Sequence, residues 1–135
     1  MPELPEVETV KESLKIRLKG KKILSANVIY NNIIAYPEVK DFIKQISNQT
    51  INDMKRRGKF LLFDLDDYYL LSHLRMEGKY FFKTKDDVLD KHEHVTFDLD
   101  SGEELRYKDT RKFGKMYLIK KEDIDKDTID MVRTL

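Results

Sequence analysis

The stretch FLLFDLDDYYLLSH, residues 60–73, holds two apolar runs, Phe60 to Leu65 and Tyr68 to His73, joined at Asp66-Asp67. Short runs rich in aromatic residues, parted by a polar turn pair, read as two strands of a hairpin. Toward the C-terminus the period stays at two. Lys79 to Phe82 fits another strand, and Val95, Phe97 and Leu99 alternate with polar residues up to Ser101-Gly102. Leu105 and Tyr107 resume the alternation beyond that turn, and Met116 to Ile119 completes the set.

Toward the N-terminus the period lengthens. Val7, Val10, Leu14 and Leu18 recur at spacings of three and four, so residues 5–19 are predicted to be helical, with Pro5 suited to the first turn and Gly20 to the stop. Glu6 and Glu8 favour the positive end of that helix. Ile23 to Tyr30 reads as a strand, and Val39, Phe42, Ile43 and Ile46 as a short second helix. The pattern predicts an α+β fold, mainly antiparallel: a two-sheet β-sandwich of about eight strands with a flanking N-terminal helix and the second short helix.

The 135 residues, 40% hydrophobic with seven Tyr and seven Phe, suffice for one domain with a sizeable core. There is no internal repeat, low-complexity tract or linker before residue 120. The segment KKEDIDKDTIDMVRTL, residues 120–135, reads either as a frayed tail or as the start of a connection. No apolar run approaches the ~20 residues of a membrane span, and MPELPEVETV is no secretory leader, so a soluble, cytoplasmic protein without a membrane partner is expected. Zero cysteines exclude disulfides and thiolate metal sites, and His73, His92 and His94 are too few to suggest a metal.

The net charge of +1 hides a segregation. Lys55, Arg56, Arg57 and Lys59 form one basic cluster; Arg106, Lys108, Arg111, Lys112 and Lys115 form another, interrupted by Asp109. Acidic stretches fall at Asp64–Asp67, Asp86–Asp90 and Glu122–Asp130. Such a distribution suits a polyanion on one face, although charge runs are more often plain solvated surface.

The sharpest chemical signal is Pro2. A small residue after the initiator methionine permits removal of Met1, which frees a cyclic secondary amine. An α-amino group titrates near ~7.7–8.0, whereas a lysine must be shifted by about three units to be as available at neutral pH. Glu3 and Glu6 lie within four residues and can donate or relay protons. A secondary amine condensing with an aldehyde carbon gives a cationic iminium, an electron sink for elimination. By itself, Met-Pro followed by acidic residues is also ordinary helix-start composition.

MPELPEVETV resembles the N-terminus of the formamidopyrimidine-DNA glycosylase family, which removes oxidised purines and then cuts the strand at the abasic site. RRGKF at 56–60, SHLRMEG at 72–78 and RYKDTRKFG at 106–114 extend the likeness, in order, over nearly the whole chain. The resemblance implies a β-sandwich domain that acts on double-stranded DNA containing oxidised bases, as a monomer and without a redox cofactor. It implies that Pro2 attacks the sugar carbon C1′, that Glu3 is the acid assisting ring opening, that Glu6 supports the site, and that Lys59 is a proton donor near the damaged nucleotide and its phosphate. It further implies DNA contacts by His73, His92, Arg57 and Arg111, with Met76, Arg111 and Phe113 entering the duplex where the damaged nucleotide leaves. An unstacked gap can be filled by apolar wedges while an arginine satisfies the orphaned partner base.

Taken without the resemblance, Lys59 also fits a solvated strand-edge charge, and His73 at a strand end fits a satisfied structural histidine. Met76 and Phe113, each flanked by charges, are poorly placed for a core. Arg75 and Glu77 stand where many relatives carry small residues, which alters the loop around Met76. Leu4, together with the Arg111-Lys112-Phe113 loop, favours oxidised purines over oxidised pyrimidines within the family. The resemblance also implies a division into a catalytic sandwich domain, 1–120, and a connection, 121–135, leading to a helix-two-turn-helix and zinc-finger domain. The one zinc ion of the full-length protein would belong there, with no cofactor in these residues.

Overall fold

The computed structural model describes residues 4–123. Helix α1 spans Leu4–Leu18, β1 Lys22–Val28, β2 Ile34–Tyr36, α2 Val39–Ile46, β3 Gln49–Thr50 and β4 Asp53–Arg57. Then follow β5 Phe60–Asp64, β6 Tyr68–His73, β7 Lys79–Lys83, β8 Glu93–Leu99, β9 Glu104–Lys108 and β10 Lys115–Lys120. One five-stranded sheet has the order β3-β1-β8-β9-β7, and the other β2-β10-β6-β5-β4. Every pairing is antiparallel except that of β2 with β10.

The predicted two-sheet α+β sandwich is therefore the fold, with ten strands among the described residues where about eight were expected. The hairpin at residues 60–73 forms as read: Phe63 pairs with Leu70 and Leu61 with Ser72, and the Leu65 N–H donates to the Tyr68 carbonyl at 3.0 Å. Period two sends Leu61, Phe63 and Leu70 into the core shared by both sheets. Phe60, Leu62 and Leu71 fall in a second apolar cluster with Ile119.

Helix α1 buries Val7, Leu14 and Leu18 in the same core as Met54 of β4, and ion pairs fix its setting. Arg56 Nε lies 3.0 Å from Glu8, and Lys15 Nζ lies 3.4 Å from Asp53. Helix α2 buries Phe42 and Ile46, with the Phe42 ring 6.5 Å from that of Phe97 on β8. Removing a fully buried ring such as Phe42 costs about 3–5 kcal/mol, so α2 is held by its apolar face. No helix among the described residues is long and apolar enough to cross a membrane.

The topology gives the sandwich two unlike ends. At one, the β5–β6 and β8–β9 turns gather Asp64, Asp66, Asp67, Asp98, Asp100 and Glu103. At the other, two of the connections that cross between the sheets lie together: residues 74–78 from β6 to β7, and residues 109–114 from β9 to β10.

Candidate nucleic-acid interface

The register of the second sheet builds the platform for this end. Arg57 pairs with Phe60, Phe60 with His73, and His73 with Lys115, so four strands bring one row of side chains to the rim. Gly58 and Lys59 form the two-residue turn between β4 and β5, where Gly58 adopts φ 57°, a conformation open to glycine at little cost. The Gly58 carbonyl accepts from Arg56 Nη1 at 2.9 Å, which steadies the tip that carries Lys59. Lys59 is thus a hairpin-tip residue rather than a strand-edge one.

His73 is 6% exposed, and its ring stands edge-on to Phe60 with centroids 4.7 Å apart. Burial first, then the positive charges of Arg75 and Lys59, lower its pKa to about 4. Its Nδ1 accepts the Arg75 N–H at 3.1 Å, which leaves the proton of the neutral ring on Nε2. His73 is therefore a neutral donor at physiological pH, and any bond it makes to phosphate is a hydrogen bond and not an ion pair.

The two crossing loops share a design. In each, an exposed apolar residue directly follows a non-glycine residue in the left-handed region: Arg75 at φ 58° precedes Met76, and Lys112 at φ 62° precedes Phe113. Such backbone costs about 1–3 kcal/mol per residue and persists where surroundings enforce it. Met76 is 49% exposed and Phe113 53%, far from core values. Between them opens a cleft of about 480 Å³ lined by Arg75, Met76, Lys112, Phe113 and Lys115. Arg111 is exposed beside it, with Nε 3.9 Å from Glu77 Oε1 of the other loop.

Asp109 shapes the second loop. It is fully buried, and its carboxylate accepts the N–H groups of Arg111 (3.2 Å), Lys112 (3.1 Å) and Gly114 (2.8 Å) and the hydroxyl of Tyr107 (2.8 Å). The Asp109 N–H donates to the His92 carbonyl at 2.9 Å, and His94 Nε2 donates to the Asp109 carbonyl at 2.7 Å. In the sequence Asp109 reads only as a break in a basic run. The available signal was an aspartate opening an aperiodic stretch that closes on Gly114, since Asp side chains cap N–H groups two and three residues on.

Several predicted site residues are thus brought to one end: Arg57, Lys59, His73, Met76, Arg111 and Phe113, with His92 entering β8 beside the Asp109 knot. Glu6 lies exposed in the first turn of α1. Pro2 and Glu3 lie outside the described residues, as does most of the expected connection at 121–135.

The two basic clusters do not survive as patches. Alternation puts Arg56 on the face opposite Lys55 and Arg57, where it pairs with Glu8, while Lys55 pairs with Asp64 at 3.1 Å. Arg106 is 3% exposed and turned inward onto Glu93 and Glu104, and Lys108 holds Asp90 at 3.0 Å. Among the anions at this end, Glu77 and Asp90 each stand near a cation. A larger open cleft of about 750 Å³ at the acidic end mixes four carboxylates, Asp41, Asp66, Asp67 and Glu122, with Lys44, Lys120 and Lys121, so it offers no net positive field to a phosphate chain.

With no cysteine in the chain, and no cluster of metal-binding side chains among the described residues, the residues present do not fit a zinc site.

Comparison with known proteins agrees with this geometry. Residues 1–116 match the model of the formamidopyrimidine-DNA glycosylase N-terminal domain. The formamidopyrimidine-DNA glycosylase of Oceanobacillus iheyensis is 53% identical over 119 residues, covering 87% of this chain and 42% of the relative. That of Bacillus subtilis is 51% identical over 121 residues, covering 89% of this chain and 44% of the relative. The chain therefore spans less than half the length of the curated relatives it matches. Among solved structures, the Lactococcus lactis enzyme non-covalently bound to DNA containing an AP site superposes with a TM-score of 0.85 at 41% identity, covering 90% of this chain and 46% of that one. The same enzyme with DNA containing FAPY-dG gives a TM-score of 0.84 at 42% identity, covering 89% of this chain and 45% of that one. On the family match, the sequence identity and the shared fold, this chain belongs to the formamidopyrimidine-DNA glycosylase N-terminal domain family.

Proposed function

We propose that this chain is the catalytic and lesion-extruding part of a base-excision DNA glycosylase that removes oxidised purines and nicks the resulting abasic site. The observation that carries the reading is the pair of exposed apolar residues, Met76 and Phe113, held on facing loops beside Arg111 at the cationic end of a domain whose relatives are named formamidopyrimidine-DNA glycosylases.

In this reading the duplex lies across the rim formed by Arg57, Lys59, His73 and Lys115. Met76 and Phe113 enter the stack where the damaged nucleotide swings out, and Arg111 satisfies the base left without a partner. His92 and the neutral Nε2–H of His73 add phosphate contacts. The Pro2 nitrogen, once Met1 is gone, attacks C1′ of the extruded nucleotide, and Glu3 supplies the proton that lets the sugar ring open as the base departs. The iminium so formed draws electrons for β- and then δ-elimination, with Lys59 as a proton donor and Glu6 in support. While Met1 remains attached, the Pro2 nitrogen is an amide and cannot act.

The domain acts as a monomer, contributes about half of a DNA clamp and by itself is weakly active or inactive. The test joins the Met1-free chain to the part of the Bacillus subtilis relative beyond the matched region and offers it a duplex containing 8-oxoguanine. Incision by the fusion, with little or none by the chain alone, is expected. A fusion that binds the duplex yet never incises it would leave a non-catalytic DNA-binding module. A chain that instead turns over a keto–enol substrate would be a small-molecule tautomerase with an N-terminal proline.

A further inference from the structure

The wedge residues sit on loops whose shape is set from below. The carboxylate of Asp109 collects three N–H groups of the 109–114 loop, including that of the left-handed Lys112, so it holds the turn that projects Arg111 and Phe113 outward. Its fourth bond comes from the Tyr107 hydroxyl at 2.8 Å. That hydroxyl is also where the two loops meet: a Cβ added at Gly114 would overlap it, and one added at Gly78 would lie 2.6 Å from it. Gly114 is required because its backbone presses against that phenol, and Gly78 because it is hemmed in both by the phenol and by the Leu74 backbone of its own loop. The Gly78 N–H closes its own loop on the Leu74 carbonyl at 3.0 Å, with Met76 at the apex.

We propose that Asp109 and Tyr107 are positioning residues that fix the separation and projection of Met76 and Phe113, and thereby the preference of this domain for DNA with an extruded or missing base. The proposal rests on the wedge reading given above. Neither side chain reaches the surface, since Asp109 and Tyr107 are both 0% exposed. They act only through the loops. The rim cations Arg57, Lys59 and Lys115 lie outside the 109–114 loop, so general affinity for DNA and preference for a lesion are separable. Asp109→Asn replaces one acceptor oxygen with an amide donor facing N–H groups, which opens the loop. Tyr107→Phe removes only the hydroxyl.

The test compares the affinity of the 135-residue chain for a duplex with one abasic site and for the same duplex intact, at fixed salt. The unsubstituted chain is expected to prefer the abasic duplex by about tenfold, since an unpaired site spares the cost of extrusion. Asp109→Asn is expected to bring the ratio to within about twofold of unity while intact-duplex affinity changes by less than about twofold, because the phosphate contacts of Arg57, Lys59 and Lys115 lie off the loop. Tyr107→Phe is expected to lower the ratio partway, and it decides the matter if Asp109→Asn does not fold. Retention of the full ratio in the folded variants, or equal loss of affinity for both duplexes in Tyr107→Phe, overturns the proposal. If the unsubstituted chain shows no preference, the wedge reading itself fails and the positioning role falls with it. The two failures are thereby told apart.

Discussion

The imidazole of His73 and the ring of Phe60 meet at 87°, on directly paired residues of neighbouring strands, with the cations of Lys59 and Arg75 close enough to disfavour a charge on the imidazole. The folded state therefore binds the His73 proton only near pH 4, whereas an unfolded histidine binds it near its ordinary value of 6.5. Because the folded pKa is the lower one, stability from this residue is complete above about pH 6.5 and is lost as pH falls toward 4. His73→Gln should reduce the loss between pH 7 and pH 5 by about 1 kcal/mol, after discounting for partial contact with solvent. Parallel urea melts at the two pH values check this; identical pH dependence in both proteins would refute the burial argument.

Met76 and Phe113 are half exposed, so removing them should cost little stability and much selectivity. Met76→Ala and Phe113→Ala are each expected to shift unfolding free energy by less than about 0.5 kcal/mol. Each should also lower the affinity ratio between abasic and intact duplex. Stability losses of core size, near 3 kcal/mol, would show that these side chains are packed and not presented.

Gly114→Ala drives a methyl group into the Tyr107 hydroxyl. The expected cost is about 2–3 kcal/mol, read from denaturant melts, and adding Tyr107→Phe should return part of it. Simple additivity of the two substitutions would deny the close approach.

Arg106 is buried with Glu93, 3.2 Å away, and also donates to the carbonyls of Thr84 and Asp87, so it ties down the segment that leads to His92. Arg106→Met strips the buried Glu93 of one partner, leaving Lys83 at 3.0 Å, and should destabilise by about 3 kcal/mol. A neutral effect in thermal melts would mean that the network contributes shape alone.

Arg57 and Lys59 stand on the rim away from the knot of Asp109. If each contacts one phosphate, Arg57→Ala and Lys59→Ala should each reduce the slope of log affinity against log salt by about 0.9. Unchanged slopes in binding titrations would remove them from the interface.

Much of this was legible in the sequence because the signals were local. The paired apolar runs between residues 60 and 73 and the spacing of three and four in α1 each extend over several residues or turns. Strand β4 escaped because Asp53–Arg57 carries a single core residue, Met54, among four charged ones, so it reads as a charge run. Strands β2 and β3, of three and two residues, are too short to show any period and exist through their partners. The basic clusters were misjudged for a related reason: adjacency in sequence is not adjacency in space when successive strand residues face opposite sides. Asp109 was invisible as a site residue because its role is collective, resting on four donors brought together only by the folded loop.

The central claim is that the nitrogen of Pro2 is the atom that bonds to DNA. The most direct measurement is borohydride reduction of the Met1-free chain, fused as described above, in the presence of an abasic duplex, followed by mass spectrometry of the peptide carrying the reduced adduct. The account predicts a stable covalent complex with the sugar attached at residue 2, lost when the terminal amine is acetylated. An adduct mapped to a lysine side chain, or undiminished trapping after acetylation, would contradict it.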